Sequence, residues 1–599
     1  MSTERGSAAR SARRPGKHYP PLLVASSMML ALLAVLPSAL NIPQTTPSET
    51  LEYAPVPPED QTDVPPTGNF SSLGLGSSAG LATSESSDLE VPAGGEAGGR
   101  AIKTAGTKRC VGTPPRQTED PLSPPCVAHF EGDNGGATYQ GVTRDEIRVL
   151  IIVDGFSATG SYKGDEDAPQ KKYYDLAEPA KEEDHSNTRY LRAWQQYFNA
   201  RFQTYGRWVH FWAYYPGERG PEARRSEAAD NYAKVKPFAV VWPHEAENIL
   251  DYNEVMAEKG VLTFSGLSAL RAALFREYPG ISWGYLPSLE EHAVSFSAFV
   301  CEKVAGKPVE FSGNQGENGA PRKYGLIYSV DPSQAFAKEF VGLVRPKVAK
   351  CGVTFAIERE QQYSDATVDT RTGPEYAAEA MAAFQGEGVT TILWMFGFET
   401  NYSKSAAAIN YRPEWILAGD GSSEGIWNGQ AQDQSVWGGH AVSFTLHTKT
   451  LFGGVSPPCR EAYLQVDPDI PRGTLDMAQA CFYYDELRQL FTGIQVAGSR
   501  LNPQTMDKGY HAIPAVPSKD PTVPACYYGP GDYTCVKDGT LVWYDAEYQD
   551  ENNANTPGCW RLADGGQRYI PRGWPAGNVL AQRRDTDPCN GWLGTLHIY

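Results

Sequence analysis

The chain has 599 residues, more than one hydrophobic core normally organises, so more than one compact unit is expected. Its residues are 41% hydrophobic and 11% aromatic, as in a folded globular protein. A formal net charge of −18 and an isoelectric point near 5.1 argue against nucleic acid or an anionic membrane surface as the main partner.

The amino-terminal segment reads as an export signal. Arg5, Arg10, Arg13, Arg14 and Lys17 precede an apolar run from Leu22 to Leu40, broken by serines and Pro37. A charged leader before an apolar stretch makes 1–40 a signal peptide, with Ala39 before the cut, or a single retained membrane anchor. Residues 41–106 are rich in Pro, Ser, Thr, Gly and Ala and nearly devoid of aromatics. Such a segment cannot bury enough apolar surface to fold and is predicted to be a disordered stalk.

Regular alternation starts after residue 144. "EIRVLIIVDG" (146–155) is an apolar, β-branched run ending in Asp-Gly, the pattern of a buried strand. Leu191, Trp194, Phe198 and Phe202 then recur at helical spacing. "WVHFWAYY" (208–215), "PFAVVWP" (237–243), a helix around 246–259 and "GVLTFSG" (260–266) follow. A helix near 289–305 leads to the same grammar again: "KYGLIYS" (323–329), helix 333–349, "GVTFAIE" (352–358), helix 374–385, "TTILWMFG" (390–397), helix 401–410 and "EWILAGDG" (414–421). Strands alternating with helices predict βαβ units and parallel sheets. Two such blocks predict an α/β protein of two doubly wound lobes. A further strand, "AVSFTLH" (441–447), and a long helix at about 474–497 predict a return to the first lobe, with hinge strands between the lobes.

Over residues 144–515 this order resembles the type I periplasmic binding proteins, specifically the branched-chain amino-acid-binding group of ABC importers. "VLTFSGLSAL" (261–270), "GYLPSLEEHAVSFSAFV" (284–300) and "ACFYYDELRQLFTGIQVAG" (480–498) carry the local likeness. The resemblance implies an N-terminal lobe over 107–285, a C-terminal lobe over 286–436 and a return segment over 437–515. A C-terminal extension over 516–599 would pack on the C-terminal lobe. It further implies an extracytoplasmic monomer that captures a small, amino-acid-like ligand between its lobes and delivers it to an ABC permease. The same fold could serve as a ligand-sensing receptor without transport. Two departures stand out: no cysteine follows the apolar run before Cys110, and the aromatic, Cys-containing tail is longer than the family's usual ending.

Ligands of open parallel sheets sit outside the carboxyl ends of the strands. Hydroxyls and glycine-freed N–H groups there suit a carboxylate. In the family, the loop after the fourth strand supplies such donors, and Ser265 and Ser268 are the matching positions, with Gly266 between them exposing backbone. Ser157 and Tyr328 end other strands and are further polar candidates. Trp242 and Phe396, with Tyr285 at the first crossing, are candidates to wall an apolar part of the ligand. Asp420 or Glu245 could meet an amine. "GSSEG" (421–425) also matches G-x-S-x-G, so a secreted serine hydrolase using Ser423, with His440, His447 or His511 downstream, is the reading from another class. No phosphate-binding loop, EF-hand register or metal spacing of histidines occurs, so neither cofactor nor metal is expected. Proximity of the ten cysteines suggests the pairs Cys110–Cys126, Cys301–Cys351, Cys459–Cys481, Cys526–Cys535 and Cys559–Cys589.

Overall fold

The computed structural model describes residues 130–153, 171–181, 186–217, 220–242, 249–266, 270–330, 335–361, 374–396, 400–419, 424, 426–446, 457–470, 480–513, 524–550, 556–581, 583–584 and 589, with short pieces at 110–111, 116–117 and 127. The signal or anchor and the stalk (1–106) lie outside these residues. Among the described residues no helix is long and apolar enough to cross a membrane.

Two parallel-dominated sheets are each built on the apolar runs. The first contains β1 (Glu146–Ile152), β2 (Lys172–Asp175), β3 (Trp208–Tyr215), β4 (Ala239–Trp242), β5 (Leu262–Ser265) and β6 (Ser282–Gly284), in the order β2-β3-β1-β4-β5-β6. All neighbours are parallel except β2, an edge strand antiparallel to β3. The second contains β7 (Tyr324–Ser329), β8 (Phe355–Gln361), β9 (Thr391–Met395), β10 (Glu414–Ala418) and β11 (Ala441–Thr445). Two tail strands, β12 (Thr540–Asp550) and β13 (Thr556–Leu562), complete it in the order β8-β7-β9-β10-β11-β12-β13. Leaving out the antiparallel strands, both sheets have the same doubly wound order, second-first-third-fourth-fifth.

The helices follow the predicted periodicity. In α1 (Ser186–Arg201) the face Leu191, Trp194, Phe198 is buried, with Phe202 just beyond the helix. That face meets α12 (Tyr484–Ala497): Trp194 lies 5.2 Å from Tyr484 and Phe198 stacks 5.0 Å from Phe491. On the opposite face of the first sheet lie α2 (Pro221–Val235) and α3 (Ile249–Glu258). The first of these opens with proline at its first position, where the missing N–H costs nothing.

Along the chain, α4 (Ala272–Glu277) precedes β6, and α5 (Leu289–Phe299) precedes a π turn at Val300–Val304. The second lobe continues with α6 (Ala335–Ala349), α7 (Pro374–Gly386), α8 (Thr400–Ala408), α9 (Ile426–Ala431) and α10 (Gln434–Trp437). Then α11 (Pro457–Leu464) and α13 (Pro503–His511) flank α12 in the first lobe.

Among the described residues the chain changes lobes three times, at the carboxyl edges of the sheets. The first crossing, Tyr285–Ser288, joins β6 to α5. The second leaves β11 at Leu446; the next described segment is α11, whose Tyr463 packs 5.0 Å from Trp194 of α1. The third brings residues 533–536 alongside the end of β6, with Gly284 donating to Tyr533 O and Val536 donating to Tyr285 O. It then enters β12, where Thr540 pairs with Thr445 at the end of β11. Both carboxyl edges therefore meet one hinge. The strand at 441–445, read from sequence as part of the return segment 437–515, pairs in parallel with β10 inside the second sheet. An apolar run shows that it is a strand but not which sheet it joins.

Disulfides join Cys301–Cys351, Cys459–Cys481, Cys526–Cys535 and Cys559–Cys589. Cys126 lies outside the described residues, and the Cys110–Cys126 pairing with it.

Candidate functional site

Ser265 is the last residue of β5. Its carbonyl accepts from Tyr285 N (2.9 Å), so the backbone at the strand end is tied to the first crossing. Its side chain is 1% exposed, and its Oγ has no hydrogen-bond partner among the described residues. Buried hydroxyls almost always have a partner, because an unmet one costs about 1–3 kcal/mol. Trp242 ends the neighbouring strand and pairs directly with Ser265, so the two side chains share one face of the sheet. The indole is fully buried against Tyr252 (5.1 Å), its Nε1 has no partner among the described residues, and the Arg224 guanidinium, 5.4 Å from its ring, is ion-paired with Glu227 (2.9 Å). Two donors on one face thus lie at the carboxyl end of the first sheet, followed by Gly266, which is buried and carries no side chain. That edge is suited to a group that accepts hydrogen bonds.

Leu270 O accepts from Leu289 N of α5 (2.8 Å), and Ala272 N donates to the Glu290 carboxylate (2.9 Å). Arg271 makes an ion pair with Glu339 of α6 (2.6 Å), a contact from first lobe to second. The sequence offered no sign of that pair.

At the second sheet, Tyr328 is buried and its hydroxyl donates to Glu360 of the adjacent strand (3.0 Å). Burial and the Glu360 carboxylate raise its pKa. Phe396 follows β9 in a left-handed conformation (φ +54°), which turns the chain at the strand end. Its ring packs at 4.6 Å from Phe340, 5.2 Å from Phe336 and 5.6 Å from His292, and it is 1% exposed. Both side chains are occupied by the lobe itself. At the end of β10, a Cβ on Gly419 would collide with Phe444 O and the buried Glu424 carboxylate, so glycine is required there.

Ser157, Ser268, Asp420, Glu245, Ser423 and His447 lie outside the described residues. His440 stands at the amino end of β11, its Nδ1 2.6 Å from Phe311 O, whereas the Ser423 segment follows the carboxyl end of β10. His511 lies in the first lobe, its ring nitrogens at Asp507 O and Asp532 O (2.9 and 3.1 Å). Among the described residues no group of three His, Cys, Asp or Glu side chains could hold a metal ion.

No protein-family model matches the chain, and no curated protein is a significant match. Solved structures are similar to it at low identity. A leucine-, isoleucine-, valine-, threonine- and alanine-binding protein from Brucella ovis, in a closed conformation, is 10% identical with a TM-score of 0.47, covering 74% of this chain and 99% of its own. A branched-chain amino-acid ABC transporter periplasmic ligand-binding protein from Burkholderia xenovorans is 11% identical with a TM-score of 0.47, covering 71% of this chain and 96% of its own. An ABC-transporter solute-binding protein from Rhodopseudomonas palustris, in complex with 3,4-dihydroxybenzoic acid, is 10% identical with a TM-score of 0.46, covering 71% of this chain and 98% of its own.

Proposed function

We propose that the protein is an extracytoplasmic solute-binding protein that closes two lobes on a small organic acid or amino-acid-like molecule and presents it to an ABC-type importer. The observation that carries this reading is the buried Ser265 hydroxyl beside the Trp242 indole, neither with a partner among the described residues, at the carboxyl edge of the first sheet next to the crossing to the second lobe. No described residue meets either donor, and on this reading a ligand acceptor does. Ser265 and Gly266 would hold the acidic end of the ligand, with Ser268 and Ser157 from the neighbouring loops. The second lobe would close over it through the loops after Tyr328, Phe396 and Gly419, and Asp420 would meet an amine. Four disulfides support a location in an oxidising compartment outside the cytoplasm. Binding through lobe closure needs no chemical step, and catalysis is no part of this reading.

Native mass spectrometry of the protein purified with its disulfides intact tests the proposal. A small molecule that co-purifies, raises the melting temperature when added back, and fails to do so with Ser265→Ala, Ser268→Ala supports it. Binding only of polymers or proteins would overturn it.

A further inference from the structure

The C-terminal extension lies beyond the elements that form the candidate site, yet it reaches the hinge. After β13 the chain turns through Ala563–Gly566 and runs antiparallel to the third crossing: Gly539 donates to Tyr569 O (3.0 Å) and Tyr569 donates back to Gly539 O (2.7 Å). This places Arg568, 7% exposed, against the crossings themselves. Its Nε donates to Asp538 Oδ1 (2.7 Å), and its Nη2 donates to Asp538 O (2.8 Å) and to Leu446 O (2.7 Å). Leu446 is where the chain leaves the second sheet on the second crossing, and Asp538 lies in the third. The other Asp538 oxygen accepts from Ala525 N (3.0 Å), at the base of the Cys526–Cys535 hairpin docked on the first lobe.

The third crossing is in turn tied to the first. Thr534 Oγ donates to Glu291 (3.1 Å), the residue that closes the capping box of α5 with Ser288 N and Oγ (both 2.8 Å). Lys537 reaches Asp532 and Thr534 (2.7 Å each) and stands 3.6 Å from Glu291. The described ends of all three connections are therefore bonded into one bundle: the second and third meet in the Thr445–Thr540 pairing, and a side chain of the tail ties them again just beyond it, at Leu446 and Asp538.

We infer that the C-terminal extension is a hinge clasp, with Arg568 as the positioning residue that couples the second crossing to the third and restrains how far the lobes swing apart. A guanidinium suits this task because its planar fork can serve a carboxylate and two carbonyls at once, which an ammonium on a flexible stem cannot. The inference rests on the lobe motion proposed above, but it concerns the ligand-free protein.

The test is pulsed electron–electron spectroscopy on the full-length, ligand-free protein, with spin labels carried by non-cysteine amino acids at exposed Glu222 of α2 and Ala382 of α7. Arg568→Ala is expected to broaden the interlobe distance distribution and extend it to longer distances, and Arg568→Lys to restore it only in part. Arg568→Met with Asp538→Asn removes the clasp without leaving an unpaired buried carboxylate and should broaden it likewise. A folded variant whose distribution matches the wild type overturns the inference. Hydrogen exchange of the unaltered protein adds a readout independent of any variant. The amides of Ala525, Gly539 and Tyr569 should open as one unit with the same free energy, and unrelated opening energies would also overturn it. If ligand capture alone were misread, the clasp effect would persist in the ligand-free protein while no small molecule narrowed the wild-type distribution.

Discussion

Replacing Ser265 by alanine should act in opposite directions on folding and on binding. In the ligand-free protein the hydroxyl is 1% exposed and meets no partner among the described residues, so the fold bears its desolvation of about 1–3 kcal/mol without return. Alanine removes the oxygen and keeps Cβ, and the backbone bond from Tyr285 N to Ser265 O is untouched. Stability of the free protein should therefore stay level or rise by about 1 kcal/mol. In the complex the same hydroxyl donates to a charged acceptor, a bond of about 1.5–3 kcal/mol, so Kd should rise about 10- to 150-fold.

Urea unfolding of the free protein, with m-values matched between variants, reads the first effect. Calorimetric titration with the co-purified ligand reads the second. A loss of 1 kcal/mol or more in the free variant would mean that the hydroxyl serves the fold. An unchanged Kd would mean that it does not face the ligand. Either result refutes the site. Few structural serines could show the predicted pair of signs, because a serine that stabilises the fold costs stability when lost.

Other perturbations address the scaffold. Glu486, buried in the first turn of α12, has its pKa raised well above the ordinary carboxylate value by burial and then by Asp485. The stability it contributes is present below the unfolded value of about 4.3 and lost as pH rises toward the folded one. Glu486→Gln should thus stabilise the protein by about 1 kcal/mol or more at pH 7 and by nothing near pH 3, read from paired denaturation curves. His210 bridges Glu146 (2.6 Å) and Asp175 (2.5 Å); burial opposes its charge, but the two hydrogen bonds outweigh that and raise its pKa. Its contribution is full below the unfolded value near 6.5 and fades as pH rises through the folded one, so His210→Gln should cost more at pH 6 than at pH 9, with exchange protection lost first in β2. Glu414, fully buried, accepts from Arg322 (2.7 and 2.9 Å), Thr391 (2.6 Å) and the amides of Glu310 and Phe311 (2.7 and 3.0 Å). Glu414→Gln leaves the guanidinium buried without its counter-charge and should cost about 3–5 kcal/mol, seen as early exchange of β9 and β10.

What could be read from the sequence divides by how local its cause is. Strands buried on both faces must be apolar throughout, so Val149, Leu150, Ile151 and Ile152 identified β1 at sight. Edge strand β2, "KYYD", has one fully buried residue of its four and no period to detect. Ser265 stood out because an apolar strand ending in hydroxyls is unusual chemistry, and the structure adds that it ends β5 in a buried position. Phe396 was not, because an aromatic at a strand end looks the same whether it walls a cleft or, as here, fills the core against Phe340.

The hinge lies at the far end of that scale. Arg568 meets Asp538 across 30 residues and Leu446 across 122, and neither separation leaves a local trace in composition or periodicity. What the sequence does show there is the length of the tail and its cysteines, and the fold supplies the reason for both. A segment that must dock on the first lobe at Trp283, through Tyr528 (5.2 Å) and Tyr533 (5.1 Å), and then complete the second sheet at β11 needs aromatic anchors at one end and strands at the other. The Cys526–Cys535 bond closes the docked end into a hairpin before the chain crosses. A tail that only shielded one lobe would require neither the hairpin nor a buried arginine directed at the crossings, so the same residues that were opaque in the sequence are the ones that distinguish a hinge element from a cover.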